Sequence, residues 1–293
     1  MSVYRPNPPV RFWRTRRGQQ RLTQTATLVL ILLGSVLLLL PFFWLLSTSL
    51  KRPEDVYQLP PLWLPPEPQW RNYIEALTLV PMHLYALNTF AIVAAVLIGT
   101  LLSCSFSAYG FARLRAPGRD FIFLLLLATL MLPSAVTLVP TYLLFNAIGW
   151  VNTILPLIVP SFFGSAFFIF LLRQFYTSIP RELEEAATLD GASAYRIWWH
   201  IMLPLSLPAL ATVAVFTFVA TYNDFFTPLI YLTDDTKQTI AVALSYFQGS
   251  PRIGPQMHLL MAAVTISIIP PMVLFLLAQR YFVRGIVTTG LKG

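Results

Sequence analysis

Long apolar runs separated by short polar segments dominate this chain, and their lengths set the first expectation. A bilayer core of roughly 30 Å is crossed by about 20 apolar residues in helical form. Six runs reach that length: Leu22 to Ser47, Asn88 to Leu114, Phe121 to Phe145, Thr153 to Leu172, Leu205 to Leu232 and Leu259 to Phe282. The one acidic residue within them is Asp224. The pattern predicts an all-α polytopic membrane protein with six transmembrane helices. It divides the chain into an N-terminal tail (1–21), a first span (22–47), an external loop (48–87), a core of five further spans (88–282) and a C-terminal tail (283–293).

Composition supports that solvent assignment. Hydrophobic residues make up 56% of the 293 positions, charged residues 11%, and mean hydropathy is +0.67, far from the roughly one-quarter charged composition of soluble domains. The Arg-rich stretch before the first run resembles the start of a signal peptide. The run is longer than such a segment and lacks a small-x-small cleavage pattern, so it reads as a retained span. One cysteine, Cys104, sits inside an apolar run, which rules out a disulfide framework and a thiolate metal site.

A net charge of +8 would point to nucleic acid in a soluble protein, but bilayer topology also concentrates Lys and Arg. Fifteen of the twenty cations fall in the N-terminal tail, in the loops after the second and fourth runs, and in the C-terminal tail; five fall in the alternate loops. Excess cations mark the cytoplasmic side, so both termini and the segment 178–204 are expected there, with no nucleic-acid partner. The outer loops read as irregular. Lys51 to Ala86 includes Pro53, Pro60, Pro61, Pro65, Pro66 and Pro68 interleaved with Trp63 and Trp70, and Thr233 to Met257 holds Gly249, Pro251, Gly254 and Pro255. Both suit contact with an external partner, and both equally suit simple connection of spans with aromatics anchored at the interface.

Between the fourth and fifth runs the pattern changes to a short polar hairpin. Ser178 is placed to cap a helix, Pro180 to fall in its first turn, and Glu182, Glu184 and Glu185 to complement its positive end. That helix is expected from about Pro180 to Leu189. Gly191 supplies the positive φ that ends it, and Asp190 or Ser193 caps the next turn. A second helix is expected to about Met202, with Tyr195, Trp198 and Met202 in one stripe beside Trp199, and Pro204 ends the hairpin. Small side chains at Ala186 and Ala187 allow close approach of another surface, with Glu185 poised to meet a cation across it. A self-contained amphipathic hairpin accounts for the same residues taken one at a time.

The combined pattern resembles a known family. Glu185-Ala186-Ala187, then Asp190-Gly191-Ala192, then Ile201-x-Leu203-Pro204 is similar to the EAA loop of the permease subunits of bacterial binding-protein-dependent ABC importers. Other stretches resemble the carbohydrate permeases of the maltose-transporter type: Asn88-Thr89, Ala108 to Leu114, Met131-Leu132-Pro133, Asn223 to Leu229 and Gly290-Leu291-Lys292-Gly293. The resemblance covers nearly the whole chain and is to the shorter, six-helix subunit of a permease pair. It implies a coupling loop formed by Glu184, Glu185, Ala186, Ala187, Asp190, Gly191, Ala192, Ile201, Leu203 and Pro204. It also implies a second permease subunit, two ABC ATPase subunits and an extracytoplasmic solute-binding protein as partners, and a bacterial or archaeal cell membrane as the location. The chain has no Gly-x-x-x-x-Gly-Lys-Ser/Thr, so it is expected to bind no cofactor itself, with ATP used by the partner ATPases. Closure of those ATPases on ATP would then drive alternating access through the hairpin.

The apolar runs carry interior prolines, among them Pro133, Pro140, Pro156, Pro160, Pro208, Pro228, Pro270 and Pro271, which permit bends where neighbours satisfy the freed carbonyls. Asp224 stands out, since a charge at depth must face an interior, water or a partner. Tyr222, Asn223, Asp224, Phe225 and Phe226 are expected to line a path for a sugar or polyol, with aromatic faces stacking on rings and polar groups bonding hydroxyls. The other reading of Asp224 is a cap at a helix break before Pro228. An ion- or proton-coupled secondary transporter is the alternative function, but it needs more intramembrane ionisable groups than one carboxylate. A membrane enzyme lacks a constellation: His83, His200 and His258 are scattered, with no metal-ligand spacing.

Overall fold

The computed structural model describes residues 16–249 and 254–289, and among these there is no β-strand. Arg5, Arg11, Arg14 and the Gly290 to Gly293 stretch, used above for topology and resemblance, lie outside the described residues. The chain opens with α1 (Arg16–Ser49), followed by α2 (Pro53–Val56) and α3 (Arg71–Leu79). Next come α4 (Met82–Arg113), α5 (Arg119–Ala128), α6 (Ser134–Ala147), α7 (Leu155–Ile158) and α8 (Ala166–Ser178). The polar segment holds α9 (Glu182–Leu189), α10 (Ala194–Ile197) and α11 (Leu203–Leu205). After it run α12 (Leu207–Tyr222), α13 (Phe226–Tyr231), α14 (Ile240–Tyr246), α15 (Met257–Ser267) and α16 (Ile269–Thr289).

Four helical stretches are long and apolar enough to cross a membrane: Thr23–Ser49, Met82–Arg113, Leu155–Ser178 and Met257–Gln279. Two more arise only if bent pairs count as one span each, Arg119–Met131 with Ala135–Ala147 and Ala194–Leu205 with Leu207–Tyr222, the latter bent by 78°. The protein is therefore a multi-pass membrane protein with four to six spans. The expected interruptions fall within three of the six runs. The third run breaks at Leu132-Pro133, because the residue before a proline is driven out of the α region. The fourth contains a 3₁₀ segment at Val159–Phe163, and the fifth run stops helically at Tyr222 before resuming as α13.

The outer loop also differs from expectation. It holds two helices, and α4 begins at Met82, six residues before the apolar run. Its shape is fixed by polar bonds rather than by polyproline extension. The Asn72 side-chain amide donates to the carbonyls of Ser49 and Lys51, both at 2.9 Å, and the Ser49 hydroxyl meets Tyr73 Oη at 2.7 Å. Lys51 is buried with its ammonium 3.9 Å above the Trp44 ring.

Two buried clusters are strung along the membrane-crossing body. One gathers Tyr85, Val93, Phe218, Tyr222, Phe247 and Leu259 near the start of α4. The other gathers Cys104, Tyr109, Tyr176, Trp198, Met202 and Val213 near its end. Between them Gly99 lets the 3₁₀ segment press against α4: a Cβ there would lie 2.7 Å from the Phe162 ring. Absence of a side chain is what allows this approach. The apolar window of α1 buries nothing, leaving Leu30, Leu37 and Leu38 facing outward, as suits lipid.

Candidate functional site

The polar hairpin is held to the body by its own sequence. Helix α9 ends in a Schellman motif: Ala192 N–H bonds the Ala187 carbonyl at 2.9 Å, Gly191 N–H bonds Thr188 at 3.0 Å, and Gly191 sits at φ +78°. Ala187 and Ala192, the apolar pair that accompanies such a motif, both pack against the cluster near the end of α4, called the inner cluster below. Ser193 then caps α10 by accepting from Arg196 N–H at 3.4 Å. The Ser178 cap does not form. That hydroxyl donates back to the Phe175 carbonyl at the end of α8, and α9 starts at Glu182 with no side-chain cap.

Nor does Pro204 end the hairpin. The chain passes from α10 through a π turn at Trp198–Met202 into α11, and the bend falls at buried Ser206. Pro204 has no N–H for the carbonyl four residues earlier, and the wider π pattern accommodates that gap. Trp198 and Met202 are buried as the stripe predicts, while Tyr195 is exposed. Ile201 and Leu203 are half-buried against the inner cluster, and Pro204 and Asp190 are exposed.

The two faces of α9 have different tasks. Glu184 and Ala187, three residues apart, point inward. Glu182, Glu185, Ala186 and Leu189 recur at the spacing of one helical face and all point outward, Leu189 being 89% exposed. Residue-type reasoning treated Ala186 and Ala187 as one surface and passed over Glu182 and Leu189; helical spacing from Glu185 was the signal that separates them.

Glu184 meets Arg113, the last residue of α4. Its Oε1 lies 2.9 Å from Arg113 Nε, the two side chains being 16% and 4% exposed. The same guanidinium donates through Nη2 to the carbonyls of Tyr176 and Ile179 at the end of α8. Desolvation raises the Glu184 pKa above the usual carboxylate value, and the Arg113 and Arg181 charges only partly oppose it.

At the other end of the body lies an open cleft of about 770 Å³ lined by Tyr222, Asn223 and Phe225 together with Ser245, Gln248 and Phe275. Three of the five expected path residues thus share one wall. Asp224 does not join them: its Oδ1 accepts the Thr227 N–H at 3.1 Å, capping the short α13, and it lines a separate 60 Å³ pocket with Thr89 and Thr239. Phe226 is exposed, edge-on to Phe225. The Tyr222 hydroxyl is committed to the Ser267 carbonyl at 2.9 Å, so it offers the cleft a ring rather than a free donor. Ser245 and Gln248 were not foreseen, because they sit in an outer segment that reads as a connection. Among the described residues no group of His, Cys, Asp and Glu could hold a metal ion.

An anchored, acid-faced hairpin at one end of a helical membrane body and a cleft at the other is the arrangement of a transport component. The sequence model for the binding-protein-dependent transport system inner membrane component matches residues 20–288. The chain belongs to this family. The permease is 33% identical over 275 residues to the probable ABC transporter permease protein YurM of Bacillus subtilis, covering 92% of this chain and 89% of that one. It is 32% identical over 265 residues to the sn-glycerol-3-phosphate transport system permease protein UgpE of Yersinia enterocolitica, covering 88% and 94%. Its fold is similar to a chain in the crystal structure of a bacterial ABC transporter that imports the acidic polysaccharide alginate, with a TM-score of 0.79, 23% identity and coverage of 92% and 98%. As a member of this family the permease is a membrane transport component and not an enzyme.

Proposed function

We propose that this permease forms half of the translocation path of an ATP-driven importer for a carbohydrate or related polyol, paired with a second permease subunit. Counting each bent pair as one span gives six crossings, an even number that fits both termini on one side, and the cation distribution supports the cytoplasmic side for them and for α9. Two ABC ATPase subunits lie there, one of them receiving the outward face of α9. The long outer loops face an extracytoplasmic solute-binding protein that delivers the substrate to the cleft. The substrate class rests on the relatives, which include a glycerol phosphate permease, and on a cleft wall of aromatic rings beside amide and hydroxyl groups.

The observation that carries the reading is the outward face of α9: three negative or small residues and a nearly bare leucine on a helix clamped from behind. An exposed leucine on a clamped helix contributes nothing to the chain's own stability and suits a hydrophobic partner cleft. The ion-coupled alternative loses its one candidate group, since the Asp224 carboxylate is engaged as a helix cap. Glu185→Lys reverses one charge on the docking face without touching the body. The variant is expected to insert normally, to lose co-purification with the ATPase by about tenfold or more, and to lose uptake with it. Normal uptake with a normally bound ATPase sinks the docking role.

A further inference from the structure

Helix α4 carries a polar fastening at each end. At its inner end the Arg113 guanidinium binds Glu184 of α9 and two carbonyls of α8, as described above. At its outer end the Asn88 amide donates to the carbonyls of Thr236 at 2.9 Å and Gln238 at 3.0 Å, and Thr89 Oγ1 accepts the Ile240 N–H at 3.0 Å. Ile240 opens α14, whose Ile240, Ala241, Leu244 and Ser245 form a wall of the cleft. The whole of α4 is 32 residues long, with no internal proline and no 3₁₀ or π interruption, while the bent pairs, the α7–α8 stretch and the α15–α16 junction are all broken or proline-bearing. From Thr89 to Arg113 that is a straight reach of about 36 Å at 1.5 Å per residue.

We infer that Arg113 is a positioning residue of energy coupling: it fastens the docking helix to α4, which passes α9's displacement through Asn88 and Thr89 to the α14 wall of the cleft. The inference rests on the docking role of α9 proposed above. The guanidinium is oriented by its two bonds to the carbonyls at the end of α8 and holds the Glu184 carboxylate as a buried ion pair at 2.9 Å, so displacing α9 pulls on the end of α4. A buried pair of this kind adds little net stability but selects one arrangement of the elements it joins. Its loss should therefore appear as slippage in coupling more than as loss of fold.

The test is made on the importer reconstituted in liposomes with its ATPase and solute-binding protein, reading ATPase retention, ATP hydrolysis and solute taken up per ATP. In Arg113→Gln and in Asn88→Ala the ATPase stays bound and hydrolysis continues, while uptake per ATP falls about tenfold, within the range of a single coupling interaction. Arg113→Lys, which keeps the charge for Glu184 but cannot also make the two directed bonds to the Tyr176 and Ile179 carbonyls, falls between. Asn88 is remote from the ATPase, so a common phenotype at both ends is what a purely local role for Arg113 would not produce. An unchanged ratio of uptake to hydrolysis in Asn88→Ala, or in an inserted Arg113→Gln, overturns the inference. If instead the unmodified chain fails to hold the ATPase, it is the docking role itself that fails.

Discussion

Pro271 deprives the Ser267 carbonyl of its helical donor, and the Tyr222 hydroxyl supplies one. The Ser267 carbonyl ends α15, and the residues three and four positions on, which would donate to it in a helix, are Pro270 and Pro271. Neither has an N–H. The Tyr222 hydroxyl fills the gap at 2.9 Å from a buried position. Its ring is held independently, stacked on Phe218 at 5.5 Å, so Tyr222→Phe removes the hydroxyl and little else. A buried acceptor left without a donor costs about 1–3 kcal/mol. In a Pro271→Ala background the new N–H can bond the same carbonyl, and the further cost of Tyr222→Phe should shrink to about 0.5 kcal/mol, the low end for a bond to an acceptor already satisfied. The coupling energy is therefore about 0.5–2.5 kcal/mol, readable from equilibrium unfolding of the four proteins in mixed micelles. Equal penalties for Tyr222→Phe in both backgrounds would refute the assignment of the hydroxyl to the proline-freed carbonyl.

Two further outcomes follow from the geometry. Gly99→Val places side-chain atoms against Phe162 and Ser161 and should destabilise the chain by about 1–3 kcal/mol, with partial recovery in Phe162→Ala; a neutral Gly99→Val in thermal unfolding would contradict the close approach. Glu184 has a folded-state pKa raised by desolvation, so the stability tied to its protonated form is full below the ordinary carboxylate pKa and is lost as pH rises through the raised value. Measured against Glu184→Gln, whose side chain does not titrate, the wild type should lose relative thermal stability with rising pH over that window, and a gain would show that Arg113 outweighs desolvation.

Spacing and period made the membrane body and the hairpin legible, because both rest on local rules. Apolar run length predicts crossings, and Gly191 with Ser193 predicts a helix end followed by a capped start, which is what forms. Breaks in the spans were less legible. Pro133 interrupts a run at the residue before it while Pro140 lies inside α6, although the same steric rule applies to both. Asp224 was no more legible, since its two readings differ only in whether Thr227 N–H lies within reach. Long-range partners were not legible at all. Arg113 and Glu184 are separated by 71 positions, and a terminal arginine on an apolar run reads as topology until the fold brings α9 beneath it.

Adjacent glutamates in one short motif illustrate how a helix separates functions that sequence runs together. Successive residues on a helix are turned by about 100°, since 3.6 residues make a turn. Glu184 therefore faces the body and Glu185 faces away from it, although both are carboxylates at the positive end of the same helix. Were both outward, α9 would carry a stronger charge for its partner but would rest on Ala187, Ala192 and the Schellman bonds alone. Were both inward, a second desolvated carboxylate would face one arginine, and its burial would be uncompensated. One in and one out gives a helix that is both gripped and gripping. That division is why charge reversal at Glu185 and loss of the Arg113 partner of Glu184 should fail differently, the first by releasing the ATPase and the second by leaving it bound but idle.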